Sequence, residues 1–504
     1  MSTQVVCDTF VPTRIPDAGM NKFVGLLFCS CFCTYSLFSQ TTNIRNGLTL
    51  YEVIELAREQ SPAALQAVTV KENRYWQYKT YQSNYFPQLV LNGSNEFSRE
   101  VVATRQNDGT YAFPQVNQNL SALSLSLEQQ IGFSGSRIFL SSSLNRFDNF
   151  YNNTAFFSGN PAFIGLTQPL FFFNWLKWDK KIAPLQYEES KREYVEEMEQ
   201  IAVRVTDLFF DMLLSQASLD IAKKNLAINE DLYQMAQDRA SKTSSSESEQ
   251  LQLELTVMRA RQQVAKAELD LETNTLRLKS FIGVTDDDPL SLVPPSTIPD
   301  FKVDTETALA EAHKNRRASV AFKRRKLEAA KGVAWARGSG GLDANIQATF
   351  GLTNRGDVLS EVYQTPDDQQ AVMINFSVPV MDWGRQKSRY KTAEANQKLT
   401  DYTVAQDQVN FEQEVITHVR MFSMRKQQVT ISEKSDQIAQ KRYAIAQRRY
   451  VLGEISITDL NIAMQEKDEA KRSYIASLEE FWKAYYQLRK LTLYDFEHNI
   501  SIIL

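Results

Sequence analysis

Two stretches of the sequence decide the fold, because one repeats the other. Residues 166–175 read LTQPLFFFNW and residues 376–385 read FSVPVMDWGR, so that Pro379 follows Pro169 by 210 residues (379 − 169). The same offset continues without a gap to Ser246 and Ser456. A period this long exceeds the about 20 to 50 residues of solenoid repeats, and it indicates one large unit that has been duplicated and fused. Such a duplication predicts a pseudo-symmetric structure built from two similar halves.

Earlier in the two halves the offset is larger. Ile346 follows Leu91 by 255 residues (346 − 91), so the first half carries 45 extra residues (255 − 210). Apolar and polar side chains alternate in this excess, for example from Ala122 to Leu127. The alternation predicts an added β-hairpin at about residues 120–150.

The N-terminal residues 1–39 have the layout of a secretory signal peptide. Lys22 precedes an apolar run from Phe23 to about Phe38, and Met20 is a candidate for the true start. We expect cleavage, with an uncleaved anchor as the alternative and lipidation left open. All four cysteines precede residue 34, so we expect neither disulfide nor thiol chemistry in the mature chain.

The rest of the sequence has no apolar stretch long enough to span a bilayer as a helix. If this exported chain is a membrane protein, closed β-structure is the remaining way to satisfy its backbone hydrogen bonds within lipid. Alternation near Leu89–Ser94, Ala122–Leu127, Arg137–Leu144 and Phe163–Phe171 is typical of such strands. A soluble sheet with one solvated face is the alternative.

Several classes of function are disfavoured by the composition. The net charge is −4, and no basic stripe is interleaved with aromatic residues, so we expect no nucleic-acid partner. The three histidines, His313, His418 and His498, lie far apart and lack metal-ligand spacing. The sequence contains no glycine-rich phosphate loop and no nucleophile elbow. We therefore predict no catalytic residue, metal or cofactor, and no enzyme activity.

Long helices dominate each half. The patterns from Trp175 to Ala240 and from Gly384 to Tyr450 are helical, and about 65 residues of helix extend about 100 Å. Apolar residues form two narrow seams in the first half: Ile201, Val205, Leu208 and Met212, and then, with a seven-residue pattern, Leu251, Leu255, Met258, Ala265, Leu269 and Leu276. We expect these helices to pack side by side as coiled coils along such seams. The predicted boundaries are a first structural repeat at 40–283, an inter-repeat linker at 284–303, a second repeat at 304–491 and a C-terminal tail at 492–504.

The turns between the long helices share a chemical pattern. In the second turn, Gly453 is suited to end one helix, and Ser456 with Asp459 predicts a capping box for the next. In the first turn, Ser246 and Glu249 form the same pair. Well-capped helix ends explain these residues without further function. Capping does not explain the arginines that both turns share, Arg239 and Arg449.

In this order the motifs resemble the TolC-like outer-membrane efflux protein family. The resemblance covers roughly Leu48 to Leu491 and rests on Leu166–Phe171, Pro379–Gly384 and the Arg449–Asp459 turn. It implies a mainly α fold with a β-barrel part. In this fold the duplicated repeats build a homotrimeric outer-membrane barrel, with four strands from each protomer, and a periplasmic coiled-coil tunnel. The pattern leaves open whether the extra hairpin adds barrel strands or stands on the cell surface.

The resemblance also implies roles for individual residues. Asp459, Glu249 and Tyr450 would line a periplasmic gate. The tips would dock an adaptor protein through Arg239, Ser246, Arg449, Leu452, Gly453 and Ser456. The strand-to-helix junctions would comprise Pro169, Pro379, Asp382 and Gly384. The chain departs from some members at two positions of the gate: Ile462 replaces an acid and Ile455 replaces a basic residue, which leaves the strength and pH dependence of the gate open.

The function that follows is an exit duct in the outer membrane of a Gram-negative bacterium. It would serve a tripartite efflux or type I secretion system, with an adaptor and an inner-membrane transporter as partners and small molecules or proteins as cargo. The alternative is a periplasmic coiled-coil scaffold that never enters a membrane. A group of aromatic residues favours the duct, because it resembles the aromatic girdle of a membrane barrel at the lipid–water interface; its members are Phe171, Phe172, Phe173, Trp175 and Trp178. The alternative is that these residues form a buried aromatic cluster where strand meets helix.

Overall fold

A computed structural model describes residues 47–240, 247–284 and 290–503. The predicted signal peptide and Ser246 lie outside these residues, as does part of the predicted linker, 285–289. The helices are α1 Leu50–Gln60, α2 Pro62–Ser83, α3 Trp175–Ala240, α4 Glu247–Ile282, α5 Thr305–Asn315, α6 Arg317–Gly338, α7 Glu361–Gln364, α8 Arg385–Val451 and α9 Ile457–Thr492. The strands are β1 Gln88–Val101, β2 Thr104–Arg105, β3 Tyr111–Ala112, β4 Gln115–Ile131, β5 Ser136–Asn149, β6 Thr154–Leu170, β7 Asp343–Gly356, β8 Asp367–Ser377, β9 Tyr494–Asp495 and β10 Ile500–Ser501.

The duplication extends to the backbone. Ser61 separates α1 from α2 in an extended conformation (φ −64°, ψ 146°), and Arg316 separates α5 from α6 in nearly the same one (φ −70°, ψ 144°). These residues are 255 positions apart (316 − 61), which is the offset predicted for this part of the chain. The Ser61 hydroxyl caps α2 by accepting a hydrogen bond from the Ala64 N–H at 3.1 Å. The N-terminus of α6 is capped instead by the Glu196 carboxylate of α3, which accepts a hydrogen bond from the Arg317 N–H at 2.8 Å.

The long helices form a row in the order α4, α3, α9, α8. Helix α3 packs against both α4 and α9, and α9 packs against α8. The seam predicted on α3 is buried, with Val205 and Met212 fully enclosed. Among the described residues, none of the helices combines the length and the apolar character needed to cross a bilayer.

A buried polar network links α3 and α9 of this row to α1. Glu199 on α3 is 2% exposed, and it accepts hydrogen bonds from Arg58 of α1 at 2.6 Å and Arg489 of α9 at 3.1 Å. Arg489 also donates to Asp495 at 2.5 Å, and His498 Nδ1 lies 3.0 Å from the same carboxylate. The network joins the first helix, the long helices and the C-terminal residues around the main hydrophobic core.

The main sheet is antiparallel and has six strands, in the order β1, β4, β5, β6, β7, β8. Strand β4 pairs with β1 from Gln88↔Glu128 to Val101↔Gln115, and with β5 from Gln118↔Asn149 to Ile131↔Ser136. The predicted extra hairpin is therefore β4 and β5, inserted between β1 and β6. The main sheet thus has six strands, two more than the four per protomer that the resemblance implied, and the two additional strands come from the 45-residue excess.

Candidate functional site

One face of the six-stranded sheet is apolar and exposed. Paired residues on neighbouring strands point to the same face, so the register aligns these side chains into rows; one row is Leu89, Leu127, Leu140, Ile164 and Phe350. Large apolar residues on this face are exposed on every strand: Leu89, Leu91, Leu123, Leu125, Leu127, Ile138, Leu140, Ile164, Leu166, Phe350, Val372, Ile374 and Phe376. A band of this extent is expected where a sheet faces lipid.

The opposite face is mainly polar. Ser124 and Ser126 alternate with the exposed leucines of β4, and the Ser126 hydroxyl is hydrogen-bonded to that of Ser141 on β5. On this face the ring of Phe139 covers Gly165, where a Cβ atom would lie 2.1 Å from the ring. The division into one apolar and one polar face is that of a sheet with lipid outside and water inside.

Aromatic side chains collect at the end of the sheet that leads into the long helices. Phe86, Phe133, Phe171, Phe172 and Trp383 are all exposed there, beside the ends of β1, β4, β6 and β8. Some residues of the predicted aromatic girdle are exposed, as an interfacial girdle requires, and others are partly buried. Its members Phe171, Phe172 and Trp175 are exposed, whereas Phe173 and Trp178 are half-buried.

The strand-to-helix junctions use different residues in the two repeats. Pro169 pairs with Asn345 near the end of β6, and Pro379 follows the end of β8. Neither proline opens a helix. In the second repeat, Asp382 accepts hydrogen bonds from the Gly384 N–H at 2.9 Å and the Gln386 N–H at 2.8 Å. These bonds lower the pKa of the Asp382 carboxyl, and Gly384 turns the chain at φ +84°.

Asn174 caps α3 in the first repeat. Its Oδ1 accepts from the Lys177 N–H at 3.1 Å, while its Nδ2 donates to the Gly132 carbonyl at 2.9 Å. One side chain therefore holds the start of the helix and the turn between β4 and β5. The sequence analysis missed Asn174, and its position 210 residues before Gly384 (384 − 174) is the signal that could have identified it.

The turn between α8 and α9 has the predicted capping box. The Ser456 hydroxyl accepts from the Asp459 N–H at 3.2 Å, and the Asp459 carboxylate accepts from the Ser456 N–H at 3.1 Å and the Ser456 hydroxyl at 2.8 Å. These bonds and the charge of Arg449 lower the pKa of Asp459. Gly453 has φ +78°, and Arg449 is paired with Glu454 at 3.1 Å.

A small apolar cluster holds the four long helices together near this turn. Its buried members come from α3, α4, α8 and α9, and Tyr450 and Ile455 pack against it; they are Leu232, Leu253, Ala446, Ile457, Leu460 and Ala463. In the first turn, Ser246 and the side chains of Arg239 and Glu249 lie outside the part of the chain that the structure describes. The backbone places Arg239 near the end of α3 and Glu249 near the start of α4.

Both edges of the helical row carry exposed apolar seams. On α4 the seam predicted from the sequence is exposed and faces away from α3; it consists of Leu251, Leu255, Met258, Ala265, Leu269 and Leu276. The buried face of α4 is a different one that includes Leu253, Val257, Ala267 and Leu278. On α8 exposed residues recur every seven positions: Met424, Ile431, Ile438 and Ile445. Heptad seams of this kind bind another helix.

Comparison with solved structures gives the fold. The chain is similar to the Campylobacter jejuni CmeC outer membrane channel (TM-score 0.64, 15% identity, 88% of this chain and 85% of that one). It is also similar to the Vibrio cholerae outer membrane protein VceC (TM-score 0.61, 14% identity, 88% of this chain and 95% of that one). A third similar structure is the open state of the Neisseria gonorrhoeae MtrE outer membrane channel (TM-score 0.59, 15% identity, 88% of each chain). Compared by sequence with curated proteins, the chain matches none of them significantly.

The sequence profile of the outer membrane efflux protein family matches residues 53–284 and 341–492, which is most of the chain. The predicted fold class is confirmed: a barrel-forming sheet joined to a helical tunnel. The predictions of an outer-membrane location and of an efflux duct are confirmed as well, and nothing supports the scaffold alternative. The chain belongs to the outer membrane efflux protein family.

Proposed function

We propose that three copies of this chain form one continuous exit duct, which receives its cargo from an inner-membrane transporter through a periplasmic adaptor. The family supports this proposal, since its members are outer-membrane efflux channels that work as trimers with adaptors and pumps. The cargo would be small molecules in an efflux system or proteins in a type I secretion system. We also propose that residues 1–39 are removed as a signal peptide and that the two repeats, the linker and the tail have the boundaries predicted from the sequence.

The observation that carries the proposal is the pair of exposed seams on α4 and α8. These helices stand at opposite edges of the row, so a single protomer leaves both seams in water. In a ring of identical subunits, α4 of one protomer meets α8 of the next, and both seams are buried. Such a heterologous contact closes into a ring when the rotation between subunits allows it.

We assign the periplasmic gate to Asp459, Glu249 and Tyr450. The exposed carboxylate of Asp459 is charged at neutral pH, and its hydrogen bonds with Ser456 lower its pKa further; three copies around a narrow passage would attract cations and repel anions. Tyr450 packs against the apolar cluster that joins the four helices, so that a movement of one helix would be transmitted to its ring. Ile462 is 44% exposed and contributes no second acid to such a ring.

The tips of the helical hairpins are the proposed docking site for the adaptor. The tip residues are Arg239, Ser246, Arg449, Leu452, Gly453 and Ser456. Leu452 is 73% exposed beside Gly453, and an apolar side chain at a turn apex is suited to insert into a partner's groove. At the other end of the helices, Pro169, Pro379, Asp382 and Gly384 would redirect the chain from the membrane sheet into the tunnel.

Charge introduced into the α8 seam tests the assembly. In the double variant Ile431→Glu/Ile438→Glu, six like charges (3 × 2) would enter the contacts between protomers. We expect loss of the heat-sensitive trimer band from outer-membrane fractions, with monomer in its place. Thr430→Glu/Gln437→Glu is the matched control, since it adds the same number of charges at exposed positions, each one residue before a substituted seam residue. A trimer band of normal intensity in the double variant would contradict the proposal.

A further inference from the structure

We propose that the membrane barrel of this protein has eighteen strands (3 × 6) and that the hairpin of β4 and β5 lies within the lipid. Four strands per protomer would give twelve (3 × 4). The proposal rests on the trimeric duct proposed above, and it concerns a part of the chain that four-stranded relatives would lack.

The first argument is that the hairpin is fully paired. Strand β4 pairs with β1 along the whole of β1, and β5 pairs with β6 from Arg137↔Thr167 to Asn149↔Thr154, across one irregularity. A hairpin standing above the membrane would leave β1 and β6 free to pair with each other. Here β4 and β5 separate them along their length.

The second argument is the position of the apolar side chains. Leu127 on β4 and Leu140 on β5 lie in one cross-strand row between Leu89 of β1 and Ile164 of β6. Leu127 and Leu140 are 42% and 51% exposed. The inserted strands therefore continue the lipid-facing band at the same level and on the same face. Residues in a surface loop would not need to keep this register.

The third argument is the anchoring of the turn between β4 and β5. Asn174 donates to the Gly132 carbonyl at 2.9 Å, and Gln129 Nε2 donates to the Tyr85 carbonyl at 3.0 Å. Tyr85 and Asn174 lie where the chain passes between helix and strand. The turn is thus held at the helical end of the sheet, which in a TolC-like duct is the periplasmic side, and the strands must cross the same layer as β1 and β6.

The insertion is compatible with barrel closure. Two added strands preserve the antiparallel alternation, so β1 and β8 remain the unpaired edges of each protomer. Unpaired edges are not tolerated in lipid, and we infer that β8 of one copy pairs with β1 of the next. Barrel diameter rises roughly linearly with strand number, which at about 40° of tilt gives about 36 Å between backbones for eighteen strands and about 24 Å for twelve. The wider barrel would leave the size limit on cargo to the helical tunnel.

Fluorescence quenching by lipid tests the proposal on the assembled trimer. Single cysteines are introduced into the chain, which has no cysteine of its own beyond the predicted signal peptide, and an environment-sensitive fluorophore is attached. The trimers are placed in vesicles whose acyl chains carry nitroxide. We expect Leu125→Cys and Leu140→Cys to lose as much fluorescence as Ile374→Cys on β8. Ser124→Cys, on the polar face, should lose little.

The outcomes distinguish this proposal from the proposed function. If Ile374→Cys is quenched while Leu125→Cys and Leu140→Cys are not, the hairpin lies outside the lipid and the eighteen-strand barrel is wrong, although the duct stands. If Ile374→Cys also escapes quenching, the sheet is not in the membrane and both proposals fail. The heat-sensitive trimer band verifies that each labelled variant is folded.

Discussion

Asp459 retains a negative charge at the tip of the helices because its local hydrogen bonds favour the carboxylate. The hydroxyl and N–H of Ser456 both donate to it, and Arg449 adds a favourable charge. All three effects lower the pKa of Asp459. The charge is therefore present at neutral pH and persists as the pH falls to about 4, near the ordinary pKa of an aspartate.

Asp459→Asn should weaken the block of the duct by multivalent cations. The amide oxygen can still accept from Ser456, so the cap is kept while three charges leave the proposed gate. We expect the concentration of hexaamminecobalt(III) needed for half-block in planar bilayers to rise by about tenfold or more. In the unaltered protein this concentration should change little between pH 7 and pH 5.

Glu454→Gln is the control for this measurement, because it removes an exposed acid from the same turn. Glu454 is paired with Arg449 and takes no part in the capping box. If Asp459→Asn and the unaltered protein are blocked at the same concentration, Asp459 does not line the passage.

Glu199→Gln should destabilise the folded protomer by about 3 kcal/mol, since it leaves two arginines facing a neutral partner in a buried site. Glu199 bonds both Arg58 and Arg489. Thermal unfolding followed by circular dichroism measures the change. Glu55→Gln removes a partly exposed partner of the same Arg58 and should cost less than about 1 kcal/mol. Equal losses in the two variants would show that burial of the network contributes nothing.

Local chemistry was predictable from the sequence where the interacting residues are neighbours in the chain. Ser456 and Asp459 are three positions apart, and the spacing alone predicted their reciprocal bonds. Asn174 bonds Gly132, which lies 42 positions away, and no local pattern identifies such a partner. The roles of Asp459 and Tyr450 in a gate stay predictions, because they depend on neighbouring copies of the chain.

At the scale of the element, periodicity revealed the seams but not their partners. The seven-residue pattern on α4 predicted packing against another helix, and the face that α4 buries against α3 is a different one. A helix with two apolar faces has two sets of neighbours, and the sequence does not say which set belongs to the same chain. Burial in the protomer separates them.

Glu479→Gln should stabilise the contact between α9 and α3 at alkaline pH. Burial, together with the charges of Asp211 and Asp207 on α3, raises the pKa of Glu479 to about 7, against the opposing charge of Lys483. Because the folded-state pKa is higher than that of an unfolded glutamate, the unaltered protein loses stability as the pH rises from about 4.5 to about 7. After allowance for solvent screening, the variant should gain about 1 kcal/mol at pH 8 and nothing at pH 4.

Thermal unfolding of Glu479→Gln and the unaltered protein at the two pH values measures this effect. Glu480→Gln is the control, since Glu480 is the next residue on α9 and pairs with Arg425. Its charge contributes less to the raised pKa of Glu479 than burial, Asp211 and Asp207 do, so this variant should change the stability at pH 8 much less than Glu479→Gln. A gain of equal size at pH 4 and pH 8 would mean that ionisation of Glu479 is not its cause.

At the scale of the whole molecule, the duplication made the architecture predictable. Two offsets, 210 and 255, predicted the duplication and the extra hairpin from sequence alone, and helical periodicity predicted the long helices. They did not reveal where the hairpin lies, because alternating side chains suit a surface hairpin and a membrane strand equally. The register of β4 against β1 and of β5 against β6 supports the proposed position within the lipid, since it places the leucines of the hairpin in the same band as those of the other strands.

The central claim is that copies of this chain enclose a single passage from the membrane sheet through the long helices. Electron cryo-microscopy of the purified protein in lipid nanodiscs tests it most directly. We predict a particle with threefold symmetry, in which a closed barrel within the lipid opens into a helical tunnel lined by three copies of the row α4, α3, α9, α8. A monomeric particle, or a trimer whose sheets lie outside the lipid and enclose no lumen, would contradict the account.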